Sequence, residues 1–99
     1  MNIFELPALP LPEELTTVLA ESGNVRIERI ISTGQTSKWY DQTETEFIVP
    51  LEGNAAIEFE NDKSIRLTKG NTILIQPHER HRVSVTSSDP PCVWLCVFY

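Results

Sequence analysis

From Asn24 onward the chain is a series of short segments in which apolar and polar residues alternate with a period of two, and no other feature restricts its fold as much. Val25–Ile31, Glu46–Leu51, Ala55–Glu60, Ser64–Leu67, Thr72–Ile75, Arg82–Thr86 and Val93–Tyr99 each read as a strand. Between them stand turn formers: Ser22-Gly23-Asn24, Thr33-Gly34-Gln35, Glu52-Gly53-Asn54, Asn61-Asp62-Lys63, Lys69-Gly70-Asn71 and Ser88-Asp89-Pro90-Pro91. Short strands at this spacing predict an all-β sandwich or barrel.

The segment before Asn24 follows another rule. Pro7, Pro10 and Pro12, set among Leu6, Leu9 and Leu11, lack the N–H groups a ladder needs and predict an extended arm. Pro12 through Glu21 then places a proline and two acids at a helix start, with Gly23 beyond its end and Leu15, Val18 and Leu19 on one stripe. The expected organisation is an arm and short helix over residues 1–24, and a barrel over 25–99.

Facing arguments set one register and expose one unpaired surface. If Ile57 and Phe59 point inward opposite Ile65 and Leu67, Asn61-Asp62-Lys63 becomes a three-residue loop and Glu58 lies across from Arg66 on the wet face. In the last segment Val93, Leu95 and Val97 alternate with Cys92, Trp94, Cys96 and Phe98, so that strand is apolar on both sides. Either the proline-leucine arm or a second subunit should cover its outer side.

Composition narrows the partners. A chain of 99 residues makes one domain with one core. Its formal net charge of -6 disfavours nucleic acid and anionic membranes, which bind concentrated positive surfaces. No apolar run reaches the 18 or so residues of a membrane span, and the N-terminus lacks the basic start of a secretory signal, so the expected location is the cytoplasm. Cys92 and Cys96, four apart in a strand, would lie about 13 Å from each other; they read as reduced core thiols.

Chemistry concentrates in Gly70-Asn-Thr-Ile-Leu-Ile-Gln-Pro-His-Glu-Arg-His-Arg-Val83, which holds both histidines of the chain, His78 and His81. Neutral imidazole is a common metal ligand and also suits proton transfer near neutral pH. The two are either a ligand cluster at a strand end or solvated turn residues beside Glu79, Arg80 and Arg82.

The glycine-framed segments resemble the motifs of the cupin superfamily, and in particular its small single-domain members. Gly34 to Gly53 matches the length and the Glu46-x6-Gly53 ending of the first cupin motif, G-x5-H-x-H-x3/4-E-x6-G. Gly70 and, after ten residues, His81 match the second, G-x5-P-x-G-x2-H-x3-N. The resemblance covers residues 25 to 99 and implies a double-stranded β-helix, or jelly roll. Where the family has its two first-motif histidines, one spacing places Tyr40 and Gln42 and the other Trp39 and Asp41. In the second motif Gln76 replaces the proline, His78 stands where the glycine usually is and Val85 where the asparagine is. A subgroup of small cupins with Trp-Tyr-Asp-Gln and Pro-x-His-x-Arg-His-Arg-Val stretches is closer still, but brings no reaction with it.

The resemblance implies a site at the barrel mouth. Gln42, Glu46 and His81 are the expected metal ligands, for Mn²⁺, Fe²⁺, Zn²⁺ or Ni²⁺, with Tyr40, Asp41 and His78 beside them contacting a bound small molecule. Three functions stand side by side: a homodimeric cupin binding a divalent metal and a small polar or anionic ligand, a metal-free binding or sensing barrel, and an interaction domain working through a dimer surface.

Overall fold

Eight antiparallel strands span residues 15–98, and a computed structural model describes all 99 residues of the chain. They are β1 (Leu15–Ser22), β2 (Val25–Ser32), β3 (Glu46–Glu52), β4 (Asn54–Phe59), β5 (Ser64–Thr68), β6 (Ile73–Ile75), β7 (His81–Thr86) and β8 (Cys92–Phe98). A five-stranded sheet in the order β1-β2-β8-β3-β6 faces a three-stranded sheet in the order β5-β4-β7. The seven strands expected from residue 25 are all present, in a jelly-roll arrangement. Between the sheets Ile48, Ile57, Phe59, Leu67, Ile75, Trp94 and Phe98 form the core.

No helix forms. Residues 15–22, expected to be helical, instead make the edge strand β1, paired with β2 from Leu15↔Ile31 to Ser22↔Val25. A free helix of about ten residues is marginal in water, and Thr16, Thr17 and Val18 are β-branched, so sheet pairing prevails. Gly23, at φ +57°, takes the first central position of the two-residue hairpin, where positive φ costs glycine little. The leucine-valine stripe that suggested a helix is broken by a bulge between Val18 and Ala20.

The β4–β5 register also differs from expectation, by two residues. Ile57 pairs with Ile65, Ala55 with Leu67, and Glu58 with Ser64. The cause is local: Asp62 adopts φ +65°, and the Phe59 N–H donates to Lys63 O at 2.7 Å, so Glu60-Asn61-Asp62 is the loop. A shift of two preserves which side chains face inward, and Ile57, Phe59 and Leu67 are buried as expected. Glu58 finds its partner on β7 instead, where Arg82 Nη2 lies 3.0 Å away.

Strand β8 lies between β2 and β3, with Cys92, Trp94, Cys96 and Phe98 directed into the core. Both thiols are free and buried. On the outer side the N-terminal arm crosses β2, held by the buried Arg29, whose Nη1 donates to Ile3 O at 3.2 Å and to Glu5 O at 3.0 Å. Leu11 is fixed by reciprocal bonds with the Thr33 hydroxyl and by the Gln35 amide. Phe47, Val49, Leu95 and Val97 remain half-buried there, with Leu74 exposed. No helix is long and apolar enough to cross a membrane.

Candidate functional site

The two glycine-framed motifs meet along one line. Glu46 begins β3 and His81 begins β7, each at the same open end of the barrel, because each is the first residue after a loop returns to the sheet. Residues 37–40 run beside β7: Ser37 N–H donates to Val83 O at 2.9 Å, Tyr40 N–H to His81 O at 2.7 Å, and His81 N–H to Tyr40 O at 3.1 Å. The Ser37 hydroxyl in turn accepts from the Val83 N–H at 2.8 Å.

Extended backbone sends alternate side chains to opposite sides. Tyr40 and Gln42 line the cavity with Glu46 and His81, which resolves the two spacings left open by the sequence. Trp39 turns outward, with the Arg80 guanidinium 5.6 Å and that of Arg82 4.8 Å from its ring centre. Asp41 is also outside the cavity. It pairs with His78, Oδ1 to Nδ1 at 2.7 Å, and both side chains are more than half exposed, at 58% and 65%. His78 holds φ +61°, the left-handed region suited to the glycine it replaces, and its N–H donates to Gln42 O at 2.7 Å.

The cavity has a volume of about 250 Å³. Its inner end is apolar, with Ile30, Ile48, Ile57, Val83 and Trp94, and its polar groups converge on Glu46 and His81. Those two residues are 7% and 3% exposed. His81 Nδ1 lies 2.8 Å from Glu79 O, a group that only accepts, so Nδ1 carries a proton and in the neutral imidazole Nε2 is the nitrogen that presents a lone pair to the cavity. Nε2 faces Glu46 Oε1 across 3.8 Å, and Gln42 Nε2 donates to that same oxygen at 3.0 Å. Burial raises the Glu46 pKa above the ordinary carboxylate value; the Gln42 bond, His81 and Cys96 oppose the shift, and Glu28 adds to it. Burial likewise raises Tyr40, which stays a neutral phenol.

Four further charged residues, which motif spacing did not single out, line the cavity: Glu14, Arg26, Glu28 and Glu44. Period-two alternation did mark Arg26 and Glu28 as the polar side of β2. That side is the cavity wall, a fact visible only when β2 is placed opposite the small sheet.

The expected metal ligands come together, but as a poor donor set. Glu46 and His81 supply one carboxylate and one imidazole, while the Gln42 amide turns its N–H toward Glu46 and Tyr40 is protonated. No group of three or more His, Cys, Asp or Glu side chains is placed to hold a metal ion. These residues do not fit a resident divalent metal.

An eight-stranded antiparallel jelly roll with a cavity at one end of the barrel defines the class of fold. The Cupin domain family matches residues 27–98, and the chain belongs to it. A solved structure from Ralstonia eutropha JMP134, described as a provisionally assigned mannose-6-phosphate isomerase, is 36% identical, with 99% of this chain and 94% of that one covered at a TM-score of 0.93. A cupin superfamily protein from Desulfitobacterium hafniense DCB-2 is 20% identical over 92% of this chain and 81% of that one, TM-score 0.79. The polyketide cyclase RemF from Streptomyces resistomycificus is 17% identical over 88% and 65%, TM-score 0.77. Those last two show the fold alone. No curated protein matches the sequence.

Proposed function

We propose that this cupin binds a small, hydrogen-bond-donating molecule in the barrel mouth without a metal, and that Glu46 and His81 act on it as an acid–base pair. The observation that carries this reading is the approach of His81 Nε2 to Glu46 Oε1 at 3.8 Å within a buried cavity. With Nδ1 bonded to Glu79 O, the imidazole is held as a base at Nε2. Glu46, its pKa raised by burial, keeps a proton to higher pH than an exposed carboxylate and serves as the acid. One such pair can remove a proton from a bound carbon or hydroxyl and return it at a neighbouring atom.

Proton relocation of this kind is what a sugar isomerase performs, and the description of the Ralstonia eutropha structure is compatible with it. A phosphorylated sugar suits this chain less well. Arg26, the one arginine or lysine lining the cavity, is already bound by Glu28 and Glu44. Gln42 orients Glu46, Tyr40 flanks His81 with ring centres 5.7 Å apart, and the exposed Asp41–His78 pair lies at the rim, where an incoming molecule would pass.

The test is a titration of ¹⁵N-labelled protein with a library of small polyols, amines and acids, followed by amide shifts. Binding should perturb residues 40–46 and 81–83, and His81→Ala and Glu46→Gln should each weaken it at least about ten-fold. Unchanged affinity in both variants, or shifts only at the outer sheet face, would remove the reading. The half-buried stripe of Phe47, Val49, Leu95 and Val97 supports the further expectation of a homodimer; a monomer by light scattering at micromolar concentration would count against it.

A further inference from the structure

Arg26, the one arginine or lysine of the cavity, is already committed, whereas the Glu14 carboxylate has no cation. Arg26 Nε lies 2.7 Å from Glu28 Oε2, its Nη1 and Nη2 reach Glu44 at 2.9 and 3.3 Å, and its guanidinium sits 4.4 Å from the centre of the Phe98 ring. That arrangement neutralises one of the two carboxylates it touches. Glu14 has no cation and accepts only from the Ser32 hydroxyl at 3.3 Å, while Glu46 accepts from the Gln42 amide. Burial chiefly raises the pKa of the Cys96 thiol, and Glu46, Glu28 and Glu14 add to it, so these carboxylates face one region of the cavity wall.

The hydrogen-bonding groups are biased in the same direction. The Trp94 indole N–H is spent on Ser32 Oγ at 3.2 Å, the Ser37 hydroxyl on Lys38 O, and the Gln42 amide on Glu46. By contrast His81 Nε2, on a side chain only 4% exposed, makes no hydrogen bond within the protein and faces Glu46 Oε1 across 3.8 Å of the cavity, open to a donating ligand. The carboxylates are too dispersed to chelate a metal ion, since no three acidic or nucleophilic side chains form a metal-sized cluster.

We infer that the natural ligand is a small organic cation, a protonated amine carried on an apolar or hydroxylated body, with an N–H directed to His81 Nε2 and its charge balanced by Glu14. This rests on the proposal that the barrel mouth is the binding site, and it adds the ligand's sign of charge. A phosphate ester or a free carboxylate of the same size would meet the uncompensated Glu14 and no free cation; like-charge contact in a partly desolvated cavity is repulsive.

The experiment compares three probes on one carbon skeleton, a primary amine, the corresponding alcohol and the corresponding carboxylate, titrated at about pH 7 into the labelled full-length protein and followed at the cavity amides. The amine should bind about ten-fold or more tighter than the alcohol, and the carboxylate should not perturb the cavity. Glu14→Gln, checked for a native spectrum, should reduce that preference. Glu58→Gln, whose carboxylate pairs with Arg82 and does not line the cavity, should leave it intact. Cavity binding of the alcohol or carboxylate as tight as that of the amine would overturn the charge selectivity and leave the binding site standing. Absence of cavity shifts with all three probes at about 10 mM would overturn both.

Discussion

Tyr40 and His81 exchange both of their backbone hydrogen bonds, Tyr40 N–H to His81 O at 2.7 Å and His81 N–H to Tyr40 O at 3.1 Å. This bridge joins the loop of the first motif to the strand of the second beside the Ser37–Val83 and His78–Gln42 bonds, and it uses main-chain atoms alone. Side-chain changes at either residue therefore alter chemistry without releasing the loop. Tyr40→Phe should shift stability by no more than about 0.5 kcal/mol, and Tyr40→Pro, which removes the donor, should cost about 1–3 kcal/mol. Equal unfolding free energies for the two variants in urea would show that the bridge does not hold the loop.

Glu46 sets a pH dependence whose sign is opposite to that of a salt-bridged carboxylate. Burial raises its pKa in the folded protein, against the smaller lowering effects of Gln42, His81 and Cys96 and with Glu28 adding to the rise. Over the interval from the ordinary value of 4.5 to the raised folded value, the folded state binds the proton more tightly than the unfolded chain. Its contribution is therefore full at low pH and is lost as pH rises through the folded value. Glu46→Gln removes this loss. Urea midpoints for wild type and variant, compared from about pH 4 to about pH 8, should diverge in favour of the variant as pH rises; a divergence in the opposite direction would mean that the carboxylate is stabilised in place.

Gly53 closes the β3–β4 turn at φ +76°, and a Cβ there would come within 2.8 Å of Cys92 Cα, with Pro91 O and Ser87 Oγ nearer still. Left-handed backbone costs an alanine about 1–2 kcal/mol and the contact adds to it, so Gly53→Ala should destabilise by about 2–4 kcal/mol. Gly23→Ala is the comparison, since a Cβ added there would meet nothing within 4 Å. If both variants lose the same stability in chemical denaturation, crowding at Gly53 plays no part.

Arg29 is 5% exposed and has no acidic partner; Ile3 O and Glu5 O accept its Nη1 bonds, and its Nε has none. Deleting residues 1–5 should cost about 1–3 kcal/mol by stranding the guanidinium. Arg29→Met should recover most of that loss in the deleted chain, giving a clear coupling energy in a double-mutant cycle. Additive effects would show that the arm is held by its apolar contacts instead.

Two donors and an amide should not retain a transition metal. Protein purified without chelator and offered Mn²⁺, Fe²⁺, Ni²⁺ and Zn²⁺ in turn should carry less than about a tenth of an equivalent, and EDTA should leave its melting temperature unchanged within about 1 °C. Stoichiometric metal that is lost in Glu46→Ala/His81→Ala would restore the metal-dependent reading.

The strands from residue 25 onward and the inward face of the β4–β5 hairpin were legible because period-two alternation is a local property, and Ile57, Phe59 and Leu67 are buried where it assigns them. Motif spacing likewise picked out Glu46 and His81. It did not reveal β1, because Leu15, Val18 and Leu19 satisfy a helical stripe as well as an edge strand, and only the backbone of β2 decides between them. The β4–β5 register escaped for a similar reason: a slip of two residues leaves every side chain on the same face, so the choice fell to the left-handed Asp62.

For the site, the sequence by itself picked out Glu46 and His81, as expected metal ligands, and their places at the two strand starts. The tertiary structure decided that Tyr40 and Gln42 face them while Trp39, Asp41 and His78 do not, and that Glu14, Glu28 and Glu44 share the cavity with one committed arginine. Those facts depend on which strands lie across from one another. Charge and desolvation act through space, between residues as far apart in the chain as Glu14 and Cys96, and alternation along a single strand carries no information about them.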